Sequence, residues 1–524
     1  MIQLGRLISR AARHSGDYPA LTCGAHRLTW RQVETRVWRI ARALSARGLG
    51  KGDRVAFLGV NSHRYFEMYY APSRISAISV PLNFRLAVAE LTQTLEDCTP
   101  SILMVDALHY ETALALQKAV PSIRQIIWAD DLPAPDGIES YDDLVAGPGE
   151  DNGEGIEDAG TKDSETAIIF YTGGTTGRGK GVMLSHANLF VNSTGAVALY
   201  GFRPRETQML SGPMFHLGSG SRVFSASLLC SHTVIVPKFE AVEAMQAVQD
   251  HKIAAIQLVP TMLSMLLKHP EFSRFDLSSL RVISYGAATM PPELLRSALK
   301  TLPNAQFVQA YGMTEASPVV TVLGSDQHTP TSTKLETVGQ PMPHAEVRIV
   351  DEDDNDVPVG VTGQILTRGP HVMIGYWNQP ETTARALRGG WYHTGDGGWL
   401  DEDGFLHMAG RTSEMIISGG ENIYPVEIET AVSQHPAVAD AAIIGVPDDH
   451  WGARVHAVVC LKPGQTLTLD ELIAHCRPLI AGYKCPRGLT VWDGALPQTN
   501  VSKIDKTAIR NAVMAAQDQT NTED

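Results

Sequence analysis

The sequence predicts an α/β protein in two parts. The first is a large N-terminal domain of two α/β subdomains plus a small β-barrel or sheet, and the second is a small α+β C-terminal domain. Three observations lead there. A chain of 524 residues exceeds what one compact core accommodates. Short apolar runs alternate with helix-period segments over the first two thirds of the chain. The texture then changes twice, near residue 337 and again after Arg411.

Taken in order, Arg6, Arg10 and Arg13 punctuate an apolar N-terminal stretch and predict an amphipathic first helix, with no secretory core. Residues 32–47 repeat apolar positions at helical spacing, and GLGKGD then turns the chain into the strand RVAFLGVN. SAISVPLN and SILMVD read as further buried strands, and the acidic, Gly-rich residues 147–165 as a linker. Strands follow at TAIIFYT, HTVIVP, AAIQLVP, RVISYG and QFVQAYG. From residue 337 come the short strands and turns EVRIVDEDDNDVPVG, TGQILTRG and GWLDEDGFLHMAG, with DEDDND as a solvated turn. Past Arg411, PVEIETAVSQ is helical, VADAAIIGV and ARVHAVVCL are strands, and LDELIAHCRPLI is a second helix. The boundary falls at residues 410 to 414, which gives domains 1–410 and 411–524.

Composition narrows the function. Hydrophobic residues make up 44% and charged residues 19%, which excludes a disordered or low-complexity chain. A net charge of −14 argues against a broad nucleic-acid or anionic-membrane surface. No apolar run approaches the ~20 residues of a membrane span, so the expectation is no integral membrane association and a cytoplasmic location. Six scattered cysteines without a CxxC pair speak against disulfides or structural zinc.

The densest chemical signal is YTGGTTGRGKGV, directly after the strand TAIIF. Glycines let backbone NH groups approach phosphate oxygens, while threonine hydroxyls and Lys180 add donors and charge. Gly174, Gly179 and Lys180 fit GxxxxGK, but Gly181 stands where a P-loop needs Ser or Thr, which disfavours a Walker-type NTPase. In QAYGMTEASP, Tyr311 can stack on a base, Thr314 can donate to phosphate and Glu315 suits a hard cation. In YHTGDGGWL, Asp396 can accept from two ribose hydroxyls. GRTSEMIISGGENIYP and LPQTNVSKIDK complete the set.

In this order and spacing, the segments resemble the acyl-adenylate-forming superfamily over essentially the whole chain. The resemblance is nearest to acyl-CoA synthetases of the fatty-acid and 4-coumarate type. It implies that Thr172, Gly173, Gly174, Thr175, Thr176, Gly177 and Lys180 belong to the loop over the ATP β- and γ-phosphates, with Thr176 counted as catalytic. Gly286, Ala287 and Ala288, with Tyr311, would hold adenine, Thr314 would contact the α-phosphate, and Glu315 would bind Mg2+. Asp396 and Arg411 would clamp the ribose, and Lys503 would bridge carboxylate and α-phosphate. His216, in PMFHLGSG, matches a residue at the mouth of the acyl pocket. Gly419 and Gly420 would let the pantetheine arm of coenzyme A approach once the mobile C-terminal domain has rotated. Ser413 and Ser502 depart from the pattern, standing where a charged hinge residue and a glycine are usual.

The resemblance therefore implies ATP-dependent activation of a largely apolar carboxylic acid, in fatty-acid metabolism or an aryl-acid counterpart. The acid passes through acyl-AMP to the CoA thioester, with release of AMP and pyrophosphate. One alternative is an adenylation enzyme that loads a separate carrier protein, since only residues 504–524 follow Lys503 and leave no room for a fused carrier. A luciferase-type oxygenase and a non-catalytic scaffold are the others. Gly218 and Arg222 share a helical face that looks into the pocket by resemblance, and the acid itself is left open. The Arg222 guanidinium either reaches outward or pairs with a neighbouring acid, or it meets a polar group at the far end of the substrate. Oligomeric state is open too, a homodimer being one assembly the sequence admits.

Overall fold

The computed structural model describes residues 2–147, 149–151, 153, 160–172, 179–288, 290–418, 421–448, 451–499 and 504–521. It divides into two compact units, Met1–Glu346 with Thr367–Tyr392 and Val347–Leu366 with His393–Asp524.

The first unit holds two large sheets. In the nine-stranded sheet, Pro19–Cys23, His232–Ile235, Thr207–Leu210, Ala255–Leu258, Val282–Gly286 and Gln306–Gly312 run parallel in that spatial order. In the eight-stranded sheet, Thr166–Thr172 pairs parallel to Ile78–Pro81 and antiparallel to Lys180–Ser185. The runs RVAFL, ISVP, ILMV and VISYG are buried along nearly their whole length, as parallel strands covered on both faces require. The first helix, Gly5–Ser15, buries Leu7, Ile8, Ala11 and Ala12 and turns Arg10 and Arg13 outward, as its periodicity predicts. The helix Trp30–Ala46 starts at a capping box in which Thr29 and Gln32 satisfy each other's backbone NH groups. Residues from both sheets and both of these helices share one hydrophobic core.

Glu346–Val350, Gly363–Arg368, Tyr392–Leu400 and Leu406–Arg411 form a four-stranded sheet, most of whose residues belong to the second unit. The three-stranded sheet Val438–Asp448, Gly452–Leu461 and Gly488–Val491 carries helices on both faces. Strand alternation decides which helix meets which residue. Ala441, Ile443, Val455, Ala457 and Val459 pack with the helices Pro425–Ser433 and Leu469–Cys476. Ala442, Ile444, Val458 and Cys460 pack with Ile509 and Val513 of Lys506–Asn521. Among the described residues, no helix is long and apolar enough to cross a membrane.

Candidate active site

Open parallel sheets gather ligands at the carboxyl ends of their strands, and the described nucleotide-site candidates of the first unit follow such ends. Gly286 and Ala310 are register partners at the ends of Val282–Gly286 and Gln306–Gly312, which brings Ala287 and Ala288 beside Tyr311. A Cβ at Gly286 would come within 2.3 Å of Ala310 O, so only glycine fits. Ala287 follows with φ of 66°, a left-handed conformation that alanine rarely adopts, and it is exposed along with Ala288. Thr314 and Glu315 lie in the short 3-10 turn Thr314–Ala316 that follows Tyr311.

The phosphate-loop candidate is anchored at its two ends. Thr172 and Lys180 are antiparallel partners, and Thr172 Oγ1 donates to Lys180 O at 3.5 Å. Gly173, Gly174, Thr175, Thr176 and Gly177 lie outside the described residues. The short strand Gly375–Tyr376 pairs antiparallel with Lys180–Ser185. This pairing sets Lys180 Nζ 5.2 Å from the centroid of the Tyr376 ring. Tyr376 Oη donates to Glu315 Oε1 at 3.0 Å. Lys180, Tyr376 and Glu315 thus form one cluster, although they come from three distant parts of the chain. Sequence reasoning missed Tyr376, because nothing local distinguishes GYW and its partners are set only by strand pairing.

His216 precedes the turn Leu217–Gly220 and is half-buried, with its ring 4.5 Å from that of Phe215. A Cβ at Gly218 would meet only Gln257 Nε2, at 3.8 Å, so there is room at that position. Arg222 corrects one expectation. It neither reaches outward nor pairs with an acid; it is 6% exposed, and among the described residues its Nε, Nη1 and Nη2 have no hydrogen-bond partner. The aromatic rings of Phe202 and Tyr200 occupy the space where a carboxylate was expected.

In the second unit, Asp396 and Arg411 face each other across an antiparallel pair, and Arg411 Nε lies 2.8 Å from Asp396 Oδ1. Asp396 is buried at the side chain, while Arg411 is half exposed. Ser413 falls in the 3-10 turn Thr412–Glu414 just beyond. Gly419, Gly420, Ser502 and Lys503 lie outside the described residues. Lys506, the other lysine of SKIDK, is held 2.8 Å from both Glu414 Oε2 and Glu429 Oε1.

Comparison with known proteins now places the chain. Residues 8–377 match the family described as AMP-binding enzyme, and residues 427–503 match the AMP-binding enzyme C-terminal domain. The chain belongs to the AMP-binding enzyme family. A feruloyl-CoA synthase of Amycolatopsis sp is 38% identical over 512 residues, covering 97% of this chain and 98% of that protein. An indoleacetate–CoA ligase of Aromatoleum aromaticum is 36% identical over 96% of this chain and 97% of its own length. Among solved structures, the amide bond synthetase McbA from Marinactinospora thermotolerans matches with a TM-score of 0.87 at 28% identity, over 97% of this chain and 99% of that one. This AMP-binding enzyme is an acyl-CoA synthetase, an AMP-forming acid–thiol ligase that uses ATP and CoA. Its two-unit α/β architecture is that of the matched structures.

Proposed function

We propose that this ligase activates an aryl-substituted or other largely apolar acid, with the reacting groups assigned as follows. Thr172, Lys180 and the loop between them bind the β- and γ-phosphates of ATP. Gly286, Ala287, Ala288 and Tyr311 hold the adenine, Thr314 contacts the α-phosphate, and Asp396 and Arg411 hold the ribose. The observation that carries this reading is the Lys180–Tyr376–Glu315 cluster beside the strand ends. There Lys180 lies over a ring whose hydroxyl fixes a carboxylate.

Mg2+ fits this cluster in one specific sense. Among the described residues no group of three or more His, Cys, Asp or Glu could hold a metal. A single carboxylate such as Glu315 suits magnesium that arrives with nucleotide phosphates, and Tyr376 orients that carboxylate. When bound, the ion would offset phosphate charge.

The chemistry of this chain's residues is positioning and charge neutralisation. A carboxylate oxygen of the acid attacks the α-phosphorus, the bond to the bridging oxygen breaks, and pyrophosphate leaves with the electron pair. Lys180 draws charge toward the departing phosphates, and Lys503 holds the carboxylate against the α-phosphate. The CoA thiol, losing its proton, then adds to the acyl carbonyl, and AMP leaves. Residues 411–524 act as the mobile domain, turning at Ser413 to withdraw Lys503 and present Gly419 and Gly420 to the pantetheine arm. His216 stands at the mouth of the acyl pocket. Aryl acids are favoured because Gly218 leaves room where a bulky side chain could stand, and because the named relatives act on ferulate and indoleacetate.

The test is a pyrophosphate-release screen over acids graded in chain length and aromaticity, with thioester formation followed on CoA and on a purified carrier protein. Turnover only with the carrier protein, or only with short polar acids, would replace this reading.

A further inference from the structure

Arg222 opens the helix Arg222–Leu229 and is the one arginine that, among the described residues, leaves all three side-chain nitrogens buried without a hydrogen-bond partner. Its company is aromatic. Cζ lies 4.1 Å from the ring centroid of Phe202 and 6.0 Å from that of Tyr200. Burial pushes its pKa down to about 10, which still leaves it charged at neutral pH. Other buried arginines leave only Nε without a partner and find at least one acceptor within the chain. Arg64 lies against Asp131 and Asp142, and Arg74, stacked on Trp38, donates to Ser9 Oγ at 2.7 Å. A desolvated cation–π contact recovers only part of what taking a charge out of water costs. The balance calls for an acceptor that the described residues do not provide.

The space beside Arg222 indicates where that acceptor comes from. Ser221 has helical φ and ψ, and its NH donates to Leu217 O at 2.8 Å, so the helical path continues from the His216 turn into the next helix. Gly218 is then one turn before Arg222 on the same face. The volume that a side chain at Gly218 would fill borders Gln257, whose Oε1 is buried and lacks a partner among the described residues. Arg222 lies six positions beyond His216, a rise of roughly 9 Å along a helical path. A guanidinium offers only donors, so its missing partner is an oxygen acceptor.

We propose that Arg222 is a specificity-determining residue of the ligase. Its guanidinium receives an oxygen acceptor carried at the end of the acid remote from the reacting carboxylate, with Gly218 providing the room and Gln257 a second polar contact. This rests on the acyl group entering beside His216, as assigned above. The oxygen can belong to a ring hydroxyl, which could also donate to Gln257, or to a second carboxylate, which the planar donor fork would take in two hydrogen bonds.

The experiment compares cinnamic, 4-hydroxycinnamic and 4-carboxycinnamic acids as substrates for CoA thioester formation by the wild-type enzyme, Arg222→Leu and Arg222→Gln. The wild type is expected to favour one of the oxygen-bearing acids on the order of 100-fold in kcat/KM. Arg222→Leu should erase that preference, mainly through KM, while sparing or improving cinnamic acid. Its thermal midpoint should hold or rise, since an unpaired buried charge is removed. Arg222→Gln should keep part of a preference for the hydroxyl and lose one for the carboxylate. A wild type that prefers cinnamic acid overturns the proposal. So does an Arg222→Leu enzyme that keeps the acid ranking or loses all three acids equally; Arg222 would then be a packing cation on Phe202. A folded wild-type enzyme that makes no thioester from any acid in either screen would instead overturn the proposed function, and this inference with it.

Discussion

Where the helices Trp30–Ala46, His63–Met68 and Tyr141–Val145 meet, buried and partly buried cations are matched by carboxylates; around Lys180 and Arg222 of the same unit they are not. In the first region Arg36 Nε lies 2.5 Å from the fully buried Glu67 Oε1, and Tyr141 Oη donates to Glu67 Oε2 at 2.7 Å. Arg64 bridges Asp131 and Asp142 beside them. Burial pushes the Arg36 guanidinium down in pKa, and Glu67 more than reverses this, so its charge is locked in place. In the second region, Lys180 has the ring of Tyr376, and Arg222 has those of Phe202 and Tyr200. A cation matched by fixed carboxylates has its field spent within the fold. A cation without one keeps its field for an anion or acceptor that arrives from outside. In these two regions, pairing separates cations that hold the chain together from those proposed to act on substrate.

Lys503 should give the largest effect on rate. As the proposed bridge between carboxylate and α-phosphate, its change to Ala is expected to slow acyl-AMP formation on the order of 10³-fold, ~4 kcal/mol in the barrier. Attack of CoA on supplied acyl-AMP should be largely spared, because the lysine has by then been withdrawn. Pyrophosphate release and thioester formation, followed separately, check this. Equal loss in both steps would break the two-conformation scheme.

Glu67→Gln tests the opposite class. It leaves Arg36 charged and partly buried with its main counter-charge removed, and should lower unfolding stability by about 3 kcal/mol. The KM for ATP should not move while the enzyme is folded. Denaturant titration alongside steady-state kinetics reads both, and a selective loss of adenylation would overturn the sorting. Lys180→Met should do the reverse, slowing adenylation about 30-fold, or ~2 kcal/mol, and raising the KM for ATP at unchanged stability.

Elements and motifs that depend on neighbouring residues were readable in the sequence. TAIIFYT, RVISYG and QFVQAYG announce strands with buried centres by composition, and each is a strand of the first unit. Asp396 and Arg411 are joined in the sequence only through the resemblance, and it is strand register that sets them opposite each other. Tyr376 was not readable, because the carboxylate it orients lies 61 residues away. Arg222 was seen, but a charge on an otherwise small and apolar helix reads most simply as one that escapes to solvent or finds an acid. The bulk of Phe202 and Tyr200, which encloses it, is contributed from elsewhere in the chain.

Lys506→Ala is the smallest expected effect, and it applies the same sorting to the motif SKIDK. Lys506 Nζ sits 2.8 Å from Glu414 and 2.8 Å from Glu429, and its side chain is 18% exposed. Burial lowers its pKa, but Glu429 and Glu414 outweigh that and raise it above the ordinary lysine value. For a raised lysine pKa, the stabilisation is complete below the unfolded-state value and is lost as pH climbs through the folded one. The contribution is therefore constant across neutral pH and fades only in strong alkali. Alanine leaves the two glutamates without their shared cation, and should cost about 1 kcal/mol of stability at pH 7. Acyl-AMP formation should stay within about threefold of wild type, less than one kcal/mol in the barrier. A lysine committed to two glutamates is not the one that bridges carboxylate and phosphate. If Lys506→Ala instead lost adenylation as severely as Lys503→Ala, pairing would no longer separate the two lysines, and the role of mobile lysine would have to be reassigned between them.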